Sequence, residues 1–155
     1  MSDEQDNAGI IAHPPIFYVA AIAIGFGLEY LWPLPLGYDG PRVVVTAIIF
    51  CIGLVFAVGG FRNFKKNDED FNVHSSTEKI LSTGVFGRSR NPLYFSLLLL
   101  IISIGLFFNK GWLLIVCIPL VLLINKLVIE KEEAYLERKF GDEYIEYKKK
   151  VRRWI

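Results

Sequence analysis

Residues 91–129 read NPLYFSLLLLIISIGLFFNKGWLLIVCIPLVLLINKLVI, two apolar runs (93–108 and 111–129) parted only by Asn109-Lys110-Gly111. Each approaches the roughly 20 residues of helix that cross a bilayer core. So short a connection makes them an antiparallel hairpin. Trp112 anchors its turn at a membrane interface, and Pro119 predicts a kink in the second limb. Asn91-Pro92 is the pair a helix start prefers, Asn at the N-cap and Pro at the first helical position. The hairpin therefore returns near Lys126 to the level of Asn91.

Upstream lie two more apolar runs, 16–32 and 43–61. Four such segments in 155 residues, 53% of them hydrophobic, define an all-α integral membrane protein with about four transmembrane helices. The chain divides into a polar tail (1–15), two transmembrane helices (16–61), a loop (62–92), the hairpin (93–129) and a C-terminal helical segment (130–155). Gly25 and Gly27 in the first span, and Gly53, Gly59 and Gly60 in the second, are expected packing faces where helices approach closely. Glu29, beside Trp32, invites a functional reading, but its place near the interface is also explained by simple access to water. Residues 32–42 hold three prolines and two glycines and read as a tight turn. His13 reads as an interfacial loop residue. Cys51 and Cys117 fall inside spans, where buried packing is expected, and no Cys/His spacing suggests a disulfide framework or a metal site.

Fifteen of the seventeen Lys and Arg residues fall in loop 62–92 or from Lys126 onward. The positive-inside rule puts both regions, and both termini, in the cytoplasm, and the expected location is a bacterial inner membrane. The acidic tail residues Asp3, Glu4 and Asp6 carry little weight in that rule. Without a basic start or a cleavage-site pattern, the first helix is expected to be retained.

The segment from Ser82 to Tyr94 is polar, punctuated by glycine and doubly basic. It ends at a helix start whose unpaired N–H groups point towards whatever lies beside Arg88 and Arg90. Glu132-Glu133 should stand at the same height across the hairpin. Beyond them Leu136, Phe140, Tyr144, Tyr147 and Val151 recur at helical spacing, with charges opposite, and Gly141 leaves one helix or two equally open. Cations, a helix N-terminus, aromatic rings (Phe86, Tyr94, Tyr144, Tyr147) and two carboxylates would suit a zwitterionic ligand. The same residues could equally be a cap, topology signals and a solvated helix start. Spacing alone leaves both open. No Gly-x-Gly-x-x-Gly fragment follows a strand, so a Rossmann site has no support.

From about Thr77 onward the sequence resembles the isoprenylcysteine carboxyl methyltransferases, their bacterial relatives and the phospholipid N-methyltransferases. The matching residues are Ser82-Thr83-Gly84-Val85-Phe86, Arg90-Asn91-Pro92-Leu93-Tyr94, Glu132-Glu133-x-x-Leu136, Phe140-Gly141-x-x-Tyr144-x-x-Tyr147 and Val151-x-Arg153. The resemblance covers about half the chain. It implies S-adenosylmethionine as cofactor, held by Glu78, Lys79, Ile80, Leu81, Gly84, Phe86, Asn91, Pro92, Leu93, Tyr94 and Glu132, with Glu132 on the ammonium group. Arg90, Glu133 and Tyr144 are the catalytic candidates, the last two as bases. The implied partners are the bilayer and a lipophilic methyl acceptor, with no nucleic acid. Three departures stand out: Asn91 where the eukaryotic enzymes have His, Phe86 where Tyr is usual, and Val128 where the carboxyl methyltransferases have a substrate-binding Arg. An NADPH-dependent membrane reductase and a non-catalytic membrane adaptor are the alternative readings.

Overall fold

The computed structural model describes residues 13–37, 40–67 and 78–155. The acidic tail residues Asp3, Glu4 and Asp6, two positions of the first linker, and loop residues 68–77, Thr77 among them, lie outside the described residues.

Helix α1 spans Pro14–Leu31, with proline in its first turn. Helix α2 spans Arg42–Asn67 and so runs past the apolar stretch into the mostly polar residues Arg62 to Asn67. A 3-10 turn at Gly84–Gly87 leads to α3, Pro92–Phe107. The second limb of the hairpin is a long rod made of α4 (Gly111–Ile115), α5 (Cys117–Ile124), a π-helical turn (Asn125–Ile129) and α6 (Glu130–Phe140). Helix α7, Asp142–Lys150, closes the chain. No strand occurs among the described residues. Three of these stretches, Pro14–Leu31, Arg42–Asn67 and Gly111–Phe140, are long and apolar enough to span a bilayer. The fourth apolar helix, α3, has only 16 residues, about 24 Å at 1.5 Å per residue. It is a crossing segment only if the membrane thins or the loops flanking it enter the interface.

Helix α3 is central, packed against α2 on one side and against α1, α4 and α5 on the other. Tyr18, Ile101, Leu113, Leu120, Ile124 and Val128 form the heart of the core. Small residues decide how near the helices come. A Cβ on Gly25 would stand 2.6 Å from Leu113, one on Gly53 3.2 Å from Leu99, and one on Gly60 2.6 Å from Leu93. Gly27, expected to pack, faces open space, and Cys51, expected to be buried, is exposed.

At the turn end of the hairpin Glu29 does not reach for water. It is buried, accepts a hydrogen bond from the Leu34 N–H at 2.9 Å and lies 3.8 Å from Lys110 Nζ. Trp112 Nε1 donates to the Trp32 carbonyl, and the Gly111 N–H to that of Leu34, tying linker to turn. The helix interruption expected from Pro119 lies at Val116, between α4 and α5. Proline has no N–H to return to the Ile115 carbonyl one turn earlier, so the ladder breaks there.

The π turn has no counterpart in the expectation of a continuous span. Buried positions advance from Cys117 to Leu120, Ile124 and Val128 at α-helical spacing, then restart at Ile129 and Glu133. The inward face thus slips by one residue just before the two glutamates. Such turns insert a residue into an α-helix and often occur at functional sites.

Candidate functional site

A cavity of about 650 Å³ opens where α3 begins and the rod leaves the bundle. The first turn of α3 supplies Asn91 to Tyr94, the loop before it Lys79 to Leu81 and Phe86, and α6 and α7 supply Glu132, Glu133, Tyr135, Leu136, Tyr144 and Tyr147. The remaining side is mostly apolar: Ala57, Phe61 and Phe64 from α2, Leu97 from α3, and His13 to Pro15 at the start of α1. Of the sequence-derived site residues, Arg90, Glu133, Tyr144, Lys79, Ile80, Leu81, Phe86, Asn91, Pro92, Leu93, Tyr94 and Glu132 all line this cavity. Glu78 and Gly84 do not, and Arg88 is exposed outside it.

Gly84 has a conformational role instead. Its φ is +61°, a backbone state that side-chain-bearing residues rarely adopt. It lets the 3-10 turn carry Phe86 inward, where that ring meets Phe64 edge to face with centroids 5.6 Å apart. The Tyr147 hydroxyl donates to the Phe86 carbonyl at 2.7 Å, fixing the turn from the other side.

Asn91 precedes α3 as expected, but its side chain makes no capping bond. Its Nδ2 donates to the Arg153 carbonyl at 3.0 Å, while its backbone N–H donates to Ser89 Oγ. Arg90 is committed through its two terminal nitrogens, while its buried Nε has no partner among the described residues. Its Nη1 donates to the carbonyls of Lys148 and Val151, its Nη2 to Glu133 Oε1 at 2.6 Å, and its backbone N–H to the Arg152 carbonyl. The C-terminal residues after α7 thus form a strap across the Ser89–Asn91 segment. Trp154 Nε1 anchors the strap's far end on Asn125 Oδ1 of the π turn.

The two adjacent glutamates have different surroundings. Glu133 is buried with both oxygens occupied: Arg90 and Arg153 Nε donate to Oε1, and Arg153 Nη2 donates to Oε2 at 2.7 Å. That hydrogen bond to Glu133 is the main cause that raises the Arg153 pKa. Both oxygens of Glu133, one of the two candidate bases, are thus occupied by guanidinium N–H groups. Among the described residues, Glu132 accepts a single hydrogen bond, from the Tyr94 hydroxyl at 2.6 Å. The Tyr94 carbonyl accepts in turn from the buried Tyr18 hydroxyl at 3.0 Å, so α1 also steadies this turn. At Tyr144, the other candidate base, burial pushes the phenol well above its ordinary value. The phenol of Tyr147 is raised by burial too.

Several residues that matter here carry little signal in the sequence: Arg153 as the second partner of Glu133, Trp154 with Asn125, Tyr18, and the rings of Phe61 and Phe64. Arg153 is visible there only as the end of a shared motif, and the α2 rings only as part of an apolar span.

A helical membrane protein with a charged, aromatic-lined cavity at one end of its bundle is the class these features define. The family model described as phospholipid methyltransferase matches residues 41–143. The chain belongs to that family of membrane methyltransferases, and the matched region runs from the start of α2 through the π turn into α7. An uncharacterised protein of Haemophilus influenzae is 46% identical over 63 residues, 41% of this chain and the whole of that one. No solved structure matches the chain.

Proposed function

We propose that this protein is an S-adenosylmethionine-dependent methyltransferase of a bacterial inner membrane, acting on a lipophilic acceptor. The observation that carries the reading is Glu132, a cavity-lining carboxylate with one hydrogen bond where its neighbour Glu133 has a full set. It is suited to an ammonium group, and a charge-assisted bond of this kind is among the stronger ones.

The other residues fit the same cofactor. The volume lies in the range of small-molecule sites. Lys79 and the N–H groups that open α3 suit a carboxylate, and the backbone at Ile80 and Leu81 suits a base edge. Aromatic faces such as Phe86, Tyr94 and Tyr144 attract a sulfonium cation. When bound, the cofactor supplies a methyl group already activated by its sulfonium, so the chain has mainly to orient the acceptor and exclude water. Ala57, Phe61 and Leu97 give the cavity an apolar side suited to a lipid tail arriving from the bilayer. With Glu133 clamped and Tyr144 protonated, neither candidate base is available, which favours an acceptor whose nucleophile is already deprotonated. The basic residues of loop 62–92 and of the C-terminal segment support a cytoplasmic cavity mouth with both termini on that side.

The test is calorimetric titration of the detergent-purified protein with S-adenosylmethionine, S-adenosylhomocysteine and NADPH. Binding of the first two and not the third is the expected result. Binding of NADPH alone moves the protein to the reductases, and binding of none favours an adaptor that keeps the fold.

A further inference from the structure

We propose that Arg153 is a positioning residue for this cavity: by completing the charge clamp on Glu133, it leaves Glu132 as the carboxylate free to meet a cationic ligand. The inference rests on the cofactor reading above. Two acids adjacent in sequence on one helix both line the same cavity, and with both uncommitted the site would carry two negative charges facing one ammonium group. The structure separates their roles. Glu133 is only 6% exposed and is gripped from two sides, by Arg90 at 2.6 Å and by Arg153 through contacts of 2.7 and 3.1 Å.

Arg90 alone cannot do this. Its Nη1 is spent on the Lys148 and Val151 carbonyls, so a single N–H group reaches Glu133. Arg153 supplies the planar two-pronged contact that a carboxylate accepts best. The same residue fixes the cavity a second way, because its backbone carbonyl receives Asn91 Nδ2 and Ser89 Oγ at the entrance to α3. A side-chain substitution leaves that carbonyl in place. The electrostatic role can therefore be tested apart from the strap.

Three variants would be compared with the wild type: Arg153→Gln, Arg153→Lys, and the double variant Glu133→Gln with Arg153→Gln. Each is checked for a monodisperse detergent-purified state and titrated with S-adenosylhomocysteine. Removing Arg153 leaves the buried Glu133 with the single hydrogen bond from Arg90 and its charge only partly compensated. Arg153→Gln should thus weaken binding by about tenfold, with Arg153→Lys intermediate. The double variant removes the acidic charge together with Arg153, while an amide oxygen at position 133 can still accept from Arg90, and it should return to within about threefold of wild type. Arg153→Gln binding as the wild type does, or a double variant as weak as the single one, overturns the proposal.

Carbodiimide labelling of carboxyl groups, read by peptide mass spectrometry, tests the clamp without any cofactor. Glu132 should label in the wild type while Glu133 is protected, and Glu133 should become reactive in Arg153→Gln. Equal labelling of both in the wild type overturns the proposal. A wild type that labels as expected but binds no cofactor overturns the functional reading instead.

Discussion

The Tyr94 hydroxyl and Glu132 Oε1 meet at 2.6 Å, joining the first turn of α3 to the first turn of α6 across 38 residues of chain. The contact orients the Glu132 carboxyl group at the cavity wall. In Glu132→Gln the amide oxygen can still accept from Tyr94, so the fold should persist while the charge is lost. Hydrogen bonds to charged groups are worth about 1.5–3 kcal/mol. S-adenosylmethionine affinity should accordingly fall by about ten- to a hundredfold, with an unchanged unfolding midpoint. Unaltered affinity in a calorimetric titration would show that the ammonium group lies elsewhere.

Tyr144 gives a pH prediction. Burial, and secondarily Glu133, raise its phenol above the ordinary 10.0. A folded state that holds this proton more tightly than the unfolded chain is favoured fully below pH 10 and loses the advantage as the pH rises further. Unfolding midpoints should show no pH dependence from this group between pH 6 and 9 and fall on the alkaline side. In Tyr144→Phe the fall should be shallower, though still present because Tyr147 is raised as well. The variant's methylation rate should keep the wild-type pH dependence from 6 to 9. A new inflection in that range would restore Tyr144 as a base.

Much of this arrangement is legible in the order of residues alone. The apolar runs mark the helices, Asn91-Pro92 marks the start of α3 to the residue, and the polar loop and the glutamate pair meet at one cavity. What stays hidden depends on contacts distant in sequence or on register. Asn91 has the composition of a cap, yet the strap's Arg153 carbonyl, 62 residues away, takes its side chain. Glu132 and Glu133 are chemically identical in sequence, and only the two arginines tell them apart. The π turn reads like any apolar helix, since Asn125 to Ile129 carries no glycine or proline to announce it. The burial expected of Cys51 fails because its helix is apolar all round, so periodicity does not show which face meets the protein.

Gly84→Ala should destabilise the loop that shapes the cavity. At φ +61° an added Cβ would also stand 2.8 Å from Asn63 Nδ2. Asn63 cannot swing away freely, because Nδ2 donates to the Gly59 carbonyl and Oδ1 accepts from Thr83 Oγ1. Strain of this kind costs about 1–3 kcal/mol. The unfolding midpoint in detergent should drop by about 3–10 °C, and cofactor affinity should fall with it as Phe86 moves. A midpoint equal to the wild type would mean that the turn can be rebuilt without a glycine.

Three further glycines should respond to alanine in a definite order. Gly59 should suffer most: its Cβ would lie 2.6 Å from Val85 Cγ1. Val85 is β-branched and stiff at χ1, and it sits in the 3-10 turn that carries Phe86. Relief must therefore come from the turn itself, so Gly59→Ala should lower both the unfolding midpoint and cofactor affinity. Gly60→Ala meets Leu93 Cδ2 at the same 2.6 Å, but that is the far end of a flexible side chain, so the loss should be smaller. Gly27→Ala meets nothing within 4 Å and gains helix propensity of up to about 1 kcal/mol, so its midpoint should stay level or rise. Scanning calorimetry on the three variants reads the order directly. If Gly27→Ala proves as damaging as Gly59→Ala, open space at Gly27 is the wrong description, and another helix must pack there in the assembled protein.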